Sequence, residues 1–156
     1  EGLLGQATPE ATHLIKVACE CVTGQRDGMS IFGTDYDTRD GTCIRDYIHV
    51  EDLAKAHVMA LDYMANGGHS KVMYCGYGRG FTVREVIDVV KAQSGVDFPV
   101  TETGRRAGDP AALMADNTLI RQTLGWQPDY DNLDTIVGTA LAWEAIWHKK
   151  KADDTE

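Results

Sequence analysis

Residues 41–57, GTCIRDYIHVEDLAKAH, run from an alternating stretch into a helical one with no linker, and that junction restricts the fold more than any other part of the chain. Over 43–50 the side chains alternate as in a strand, placing Ile44, Asp46, Ile48 and Val50 on one face and Arg45, Tyr47 and His49 on the other. Glu51 and Asp52 then open a helix, where carboxylates suit the positive end of the helix dipole. A strand that only filled a core would carry valine and isoleucine on both faces. An arginine beside a tyrosine on a shared face instead suits solvent or an anion. The guanidinium offers forked donors matched to phosphate, and the phenol adds a hydrogen bond and a flat wall.

The flanking segments mix strand and helix signals. Thr8-Pro9 predicts a helix start, followed by Leu14, Ala18, Cys21 and Val22 at helical spacing and stopped near Gly24. Residues 29–33, MSIFG, read as a strand, and 34–41 as a turn-rich loop. Leu53, His57, Leu61 and Met64 share one face of the helix after the junction, which predicts a core-facing stripe with His57 inside it. Residues 71–76, KVMYCG, read as a strand. Thr82 and Glu85 form a capping box for a helix to Ser94, stopped by Gly95. Residues 98–103 are a further strand and 113–116 a short extended piece. Asp116 is the expected N-cap of a short helix ending at Gly125. Leu133, Ile136, Ala140, Trp143 and Trp147 make one stripe of a long last helix, whose basic tail, 148–151, suits the negative end of its dipole. The class is α/β, and residues 1–156 are expected to form a single domain.

Composition excludes several classes. The net charge of −9 argues against nucleic acid or an anionic membrane as partner. No apolar run approaches the roughly 20 residues of a membrane helix, and no signal peptide is expected. Cys19, Cys21, Cys43 and Cys75 contain no CxxC, which predicts reduced thiols in a cytoplasmic protein. The histidines form no HExxH, so no metal is expected. Gly76, Gly78 and Gly80 miss the dinucleotide fingerprint, because Phe81 stands where its third glycine belongs, and there is no G-x-S-x-G.

A second arginine source lies far along the chain. Arg105-Arg106 sits in the loop GRRAGDPA with Asp109 close behind. Arginines brought together from distant segments repel unless an anion or nearby acids lie between them. A diphosphate would satisfy them; a solvated loop remains the alternative.

The residues argued over so far also carry a resemblance. PEATHLIKVA, SIFGTDYDTRDGTCIRDYIHVEDLAKAHVMAL, CGYGRGFTVREVI and RRAGDPAALMAD resemble the C-terminal portion of UDP-glucose 4-epimerases, of the extended short-chain dehydrogenase/reductase family, from about residue 5 to 147. The resemblance implies the C-terminal substrate-binding part of that fold, with the N-terminal Rossmann half absent. It implies one UDP-sugar-binding domain over 1–156, for UDP-glucose or UDP-galactose. Ser30, Ile31 and Phe32 match the segment that cradles uracil. Arg45 and Arg106 match the diphosphate-gripping arginines, Tyr47 a nucleotide-contacting tyrosine, and Asp109 the acid facing the ribose hydroxyls. Leu113 matches the residue walling the sugar pocket, and its intermediate size leaves N-acetylated sugars open. Tyr74 departs from the family's usual asparagine.

The family is an NAD-dependent isomerase whose NAD loop and Tyr-x-x-x-Lys pair do not occur in this sequence, since no tyrosine has lysine four residues later. The resemblance therefore implies no catalytic residue here, no tight NAD site on this chain, and incomplete catalysis without a partner half. Another UDP-sugar epimerase or dehydratase, or a stand-alone binding module needing a partner chain, are the rival readings. An apolar surface left by the absent half predicts a homo-oligomer.

Overall fold

The computed structural model describes residues 3–153, with side chains to 150. In chain order the elements are α1 (Leu14–Val22), β1 (Met29–Phe32), β2 (Ile44–Arg45), α2 (Val50–Ala65), β3 (Phe81–Thr82), α3 (Val83–Ser94), β4 (Val100–Thr103), β5 (Ala112–Leu113), α4 (Thr118–Leu124) and α5 (Leu133–Asp153). The mixed α/β class is as expected.

Two small sheets carry the strands. β1 pairs in parallel with β4, Met29 opposite Val100 and Phe32 opposite Thr103. β2 lies between β3, antiparallel, and β5, parallel, with Arg45 opposite both Phe81 and Leu113. Ile31 points from β1 into a core where Val86 and Val90 of α3, Val137 of α5 and Ala18 of α1 are fully or almost fully buried. Each large aliphatic buried this way is worth roughly 1.5–3 kcal/mol. A second cluster, Ala56, Tyr77, Ile120, Trp126 and Ile136, joins α2 to α4 and α5.

Local chemistry explains the element ends. Thr82 accepts from the Glu85 amide at 3.1 Å while the Glu85 carboxylate accepts from the Thr82 amide at 2.9 Å, which is the expected capping box, and Gly95 ends α3 in the left-handed region. Thr82 also donates to Asp40 at 2.5 Å, and Asp40 accepts from the Thr42 amide at 2.8 Å. The 34–41 loop is thereby fastened between β2 and the start of α3.

Several expectations are corrected. Thr8 and Pro9 do not start a helix: α1 begins at Leu14 with His13 at its N-cap. Glu10 sits at φ +52°, which breaks helical continuity. The strand expected over 43–50 pairs only at Ile44–Arg45, because β3 and β5 offer no longer ladder. Asn117, not Asp116, is the N-cap of α4, although Asp116 does accept from the Thr118 amide at 3.0 Å. Residues 71–75 form no strand, having no neighbouring strand to complete their hydrogen bonds. On α2 the expected stripe faces outward: His57, Leu61 and Met64 are exposed, and the buried positions are Asp52 and Ala56.

Asp52 is fully buried, where it serves as an acceptor for two connecting segments. It takes the Tyr77 hydroxyl at 2.7 Å and the Asp129 and Tyr130 amides at 2.8 and 3.0 Å, while its carbonyl takes the Trp126 indole N–H at 3.0 Å. Cys19, Cys21 and Cys43 are buried free thiols and Cys75 is half-buried. Burial, with Glu144 nearby, pushes the Cys19 thiol up to about 12.

Candidate functional site

A cavity of about 650 Å³ opens where β1, β2, the 104–111 loop and the segment before α1 meet. Strand alternation sets its floor. Ser30 and Phe32 of β1 line it, whereas Ile31 between them turns into the core at 2% exposure. The same alternation brings Arg45 and Tyr47 to the wall and sends Asp46 away from it.

Asp46 instead holds the glycine segment, accepting from the Tyr77, Gly78 and Ala115 amides at 3.0, 2.9 and 3.2 Å. A Cβ at Gly76 would lie 2.6 Å from Asp46 Oδ2 and 2.7 Å from the Ala115 methyl. These glycines make room for a carboxylate and a methyl group. The residues present do not fit NAD there.

The two arginines from distant segments do meet. The Arg45 guanidinium is paired with Asp109 and donates to its own strand at Ile44 O, 2.6 Å away. Arg106 lies with its guanidinium carbon 3.6 Å from the centre of the Phe32 ring, also on the cavity wall. Its neighbour Arg105 diverges, pairing with Asp35 at 2.7 Å and stacking 4.2 Å over the Tyr36 ring. Among the described residues, Arg105 and Arg45 have carboxylate partners within 4.0 Å and Arg106 has none, so Arg106 is the cation open to an added anion.

Tyr47 is held neutral: burial pushes its hydroxyl well above the usual phenol range, against the lowering pull of Arg45. It can donate to an acceptor in the cavity but not act as an anion there. The chemistry on offer is therefore three guanidinium groups, two of them paired with carboxylates, a protonated phenol, two carboxylates, an aromatic ring and the backbone of one strand, which suits a polyanion with a planar appendage.

Of the residues singled out in the sequence, Ser30, Phe32, Arg45, Tyr47, Arg106 and Asp109 line this cavity. Ile31 does not line it: its side chain enters the core and its carbonyl accepts from Thr103 Oγ1 at 3.0 Å. Leu113 stands beside Arg45 on β5, 60% exposed and outside the cavity wall. His49 leaves the Arg45 face, because the chain enters α2 there. It is buried, its ring accepts from the Glu51 amide at 3.1 Å, meets Thr139 Oγ1 at 3.0 Å and stacks on Tyr130 with 4.5 Å between centroids. Sequence reasoning missed Glu10, Ala11, Thr12 and Arg26, which line the cavity. Arg26 is the first arginine of the chain and stands just ahead of the β1 segment, the one signal that could have marked it.

Comparison with known proteins shows which family the chain resembles. A family profile described as GDP-mannose 4,6 dehydratase matches residues 4–138. The chain is 59% identical over 143 residues to a UDP-glucose 4-epimerase of Azospirillum brasilense, covering 92% of this chain and 41% of that protein. It is similar to the structure of a UDP-Glc/GlcNAc 4-epimerase from Campylobacter jejuni, with 54% identity, a TM-score of 0.79, and coverage of 91% of this chain and 43% of the other. A UDP-glucose 4-epimerase of Bifidobacterium longum, solved with NAD+ and UDP, matches at 35% identity and a TM-score of 0.83, covering 93% and 43%. The chain thus spans less than half the length of these relatives.

Proposed function

This chain belongs to the GDP-mannose 4,6 dehydratase family, and from that premise we propose that it is the UDP-sugar-binding portion of a UDP-glucose 4-epimerase, holding the nucleotide end of UDP-glucose or UDP-galactose. The convergence of Arg45 and Arg106 on one cavity with Tyr47, Asp109 and the β1 backbone carries this reading.

In this reading the diphosphate lies between the two guanidinium groups. It meets the uncommitted charge of Arg106 and competes with Asp109 for Arg45. Asp109, once released, can accept from ribose hydroxyls. Uracil lies against Phe32 and takes its hydrogen bonds from the backbone of Ser30 and Phe32, which faces away from β4, and Leu113 borders the sugar beyond Arg45. These residues bind and orient. In this reading no residue of this chain takes the proton from a sugar hydroxyl, and no NAD site is placed on it.

The test is calorimetric titration of the chain with UDP, UDP-glucose, UDP-galactose and GDP. Saturable binding of the three uridine compounds, with GDP at least about tenfold weaker, is the expected result. Absence of any saturable signal at millimolar UDP would refute the reading. Equal binding of GDP and UDP would move the assignment to another nucleotide-sugar enzyme of the family.

A further inference from the structure

Resting on the UDP-sugar reading of the cavity, we propose that Arg26 is a positioning residue of the site, which holds the 10–12 segment in place as the cavity wall remote from Arg106. Arg106 stacks on Phe32, at the C-terminal end of β1, whereas Arg26 lines the cavity ahead of Met29, at the strand's other end. Its guanidinium faces two ways. Nε donates to Glu20 Oε2 at 2.5 Å and Nη2 to the Ala11 carbonyl at 2.9 Å. One planar group therefore ties the end of α1 to the segment whose residues Glu10, Ala11 and Thr12 line the cavity.

That segment needs an external hold. Glu10 occupies the left-handed region at φ +52°, which costs a non-glycine residue about 1–2 kcal/mol. Arg26 is in turn fixed by a buried network. Glu20 also faces Lys16 at 3.3 Å, Lys16 donates to Glu144 Oε2 at 2.5 Å, and Gln25 donates to Glu144 Oε1 at 2.6 Å. Lys16 and Arg26 balance Glu20 and Glu144 in charge, and Lys16, Glu20 and Glu144 are only 8%, 9% and 1% exposed.

Stability does not account for such a network. Buried ion pairs recover their desolvation cost poorly, and apolar side chains would pack α1 against α5 as well or better. Orientation does account for it. The Arg26 side chain is 37% exposed and stands at the cavity, so the network ends in a fixed guanidinium at the wall. A lysine there could keep the charge beside Glu20 but could not fork to Ala11 as well.

The experiment titrates the chain and its R26K and R26Q variants with UDP and with inorganic pyrophosphate, and follows amide hydrogen exchange at Ala11 and Thr12. R26K is expected to bind UDP about tenfold more weakly, to keep pyrophosphate within about twofold, and to exchange faster at both amides. E20Q, which keeps an acceptor but loses the charge, is expected to shift the same way by less, and serves if R26Q does not fold. Unchanged UDP affinity in R26K, with normal binding by the parent chain, overturns this proposal alone. Equal losses for UDP and pyrophosphate overturn it too, since they would mean general loosening. Failure of the parent chain to bind UDP overturns both this proposal and the reading beneath it.

Discussion

Around the cavity Arg45 has Asp109 and Arg26 has Glu20, whereas along the outer face of α2 and the segment after it Leu61, Met64, Val72 and Tyr74 stand 68%, 62%, 81% and 65% exposed. On the cavity side the chain supplies partners for Arg45 and Arg26 and leaves Arg106 without a carboxylate among the described residues. The α2 side presents apolar side chains at helical spacing, followed by residues 71–75 with strand-like alternation and no strand beside them. The same rules operate on both sides. What differs is whether the complementary surface is contributed by this chain. An exposed apolar patch of this kind marks an interaction surface, and the occupant tested below is a second copy of this chain.

The strongest test of the division is to disable one side only. Replacing both Arg45 and Arg106 with alanine removes two charge-assisted contacts, each worth roughly 1.5–3 kcal/mol, and is expected to weaken UDP binding by about a thousandfold or more. Association of the chain with itself should not change. Calorimetry and light scattering on the same samples check both halves of the statement, and loss of association in the double variant would show that the two faces are not separate.

Asp52 lies between the two sides. D52A strands the Tyr77 hydroxyl and the Asp129 and Tyr130 amides in a buried place, for an expected loss of about 3 kcal/mol or more, read from the midpoint of urea unfolding. D52N, which keeps one oxygen acceptor, should lose less. If D52A unfolds like the parent chain, α2 is not anchored through this carboxylate.

A third prediction concerns the apolar face. The parent chain is expected to scatter as a species larger than a monomer. The L61E/V72E variant should shift it toward monomer, with UDP affinity kept within about twofold. A parent chain that scatters as a clean monomer would remove self-association as the way this face is covered.

How far the molecule could be read in advance follows the same division. The capping box at Thr82 and Glu85, the stop at Gly95 and the shared face of Arg45 and Tyr47 were legible because alternation and capping are local, whereas Ser30 and Phe32 were marked only by the resemblance. So was the meeting of Arg45 with the 104–111 loop, through the resemblance. Residues 71–76 were misread as a strand because periodicity reports what a segment can pair as, not whether a partner exists. The stripe on α2 was assigned to the core for the same reason. Arg26 escaped notice because its partners Ala11, Glu20 and, through Lys16 and Gln25, Glu144 are joined only by the fold. His49 was placed with Arg45 and Tyr47 because parity holds only until the helix begins.

That last residue yields the smallest effect, and it tests where the junction ends. His49 is 4% exposed and its ring accepts from the Glu51 amide at the start of α2, which requires an unprotonated nitrogen. Burial lowers its pKa from the ordinary 6.5, with Glu51 and Asp52 opposing in part. The folded chain therefore binds a proton here less readily than the unfolded chain does. The contribution to stability is complete above the unfolded value and is lost as pH falls through the lower folded one. Going from about pH 7.5 to about pH 5.5 should lower Tm through this residue by about two degrees or less. H49N keeps a side-chain acceptor at the N-cap but cannot titrate, so its Tm should fall less steeply over the same interval. Identical slopes for the two proteins would mean that protonation of His49 costs the fold nothing, and that the stacked contact with Tyr130 rather than the cap sets its place.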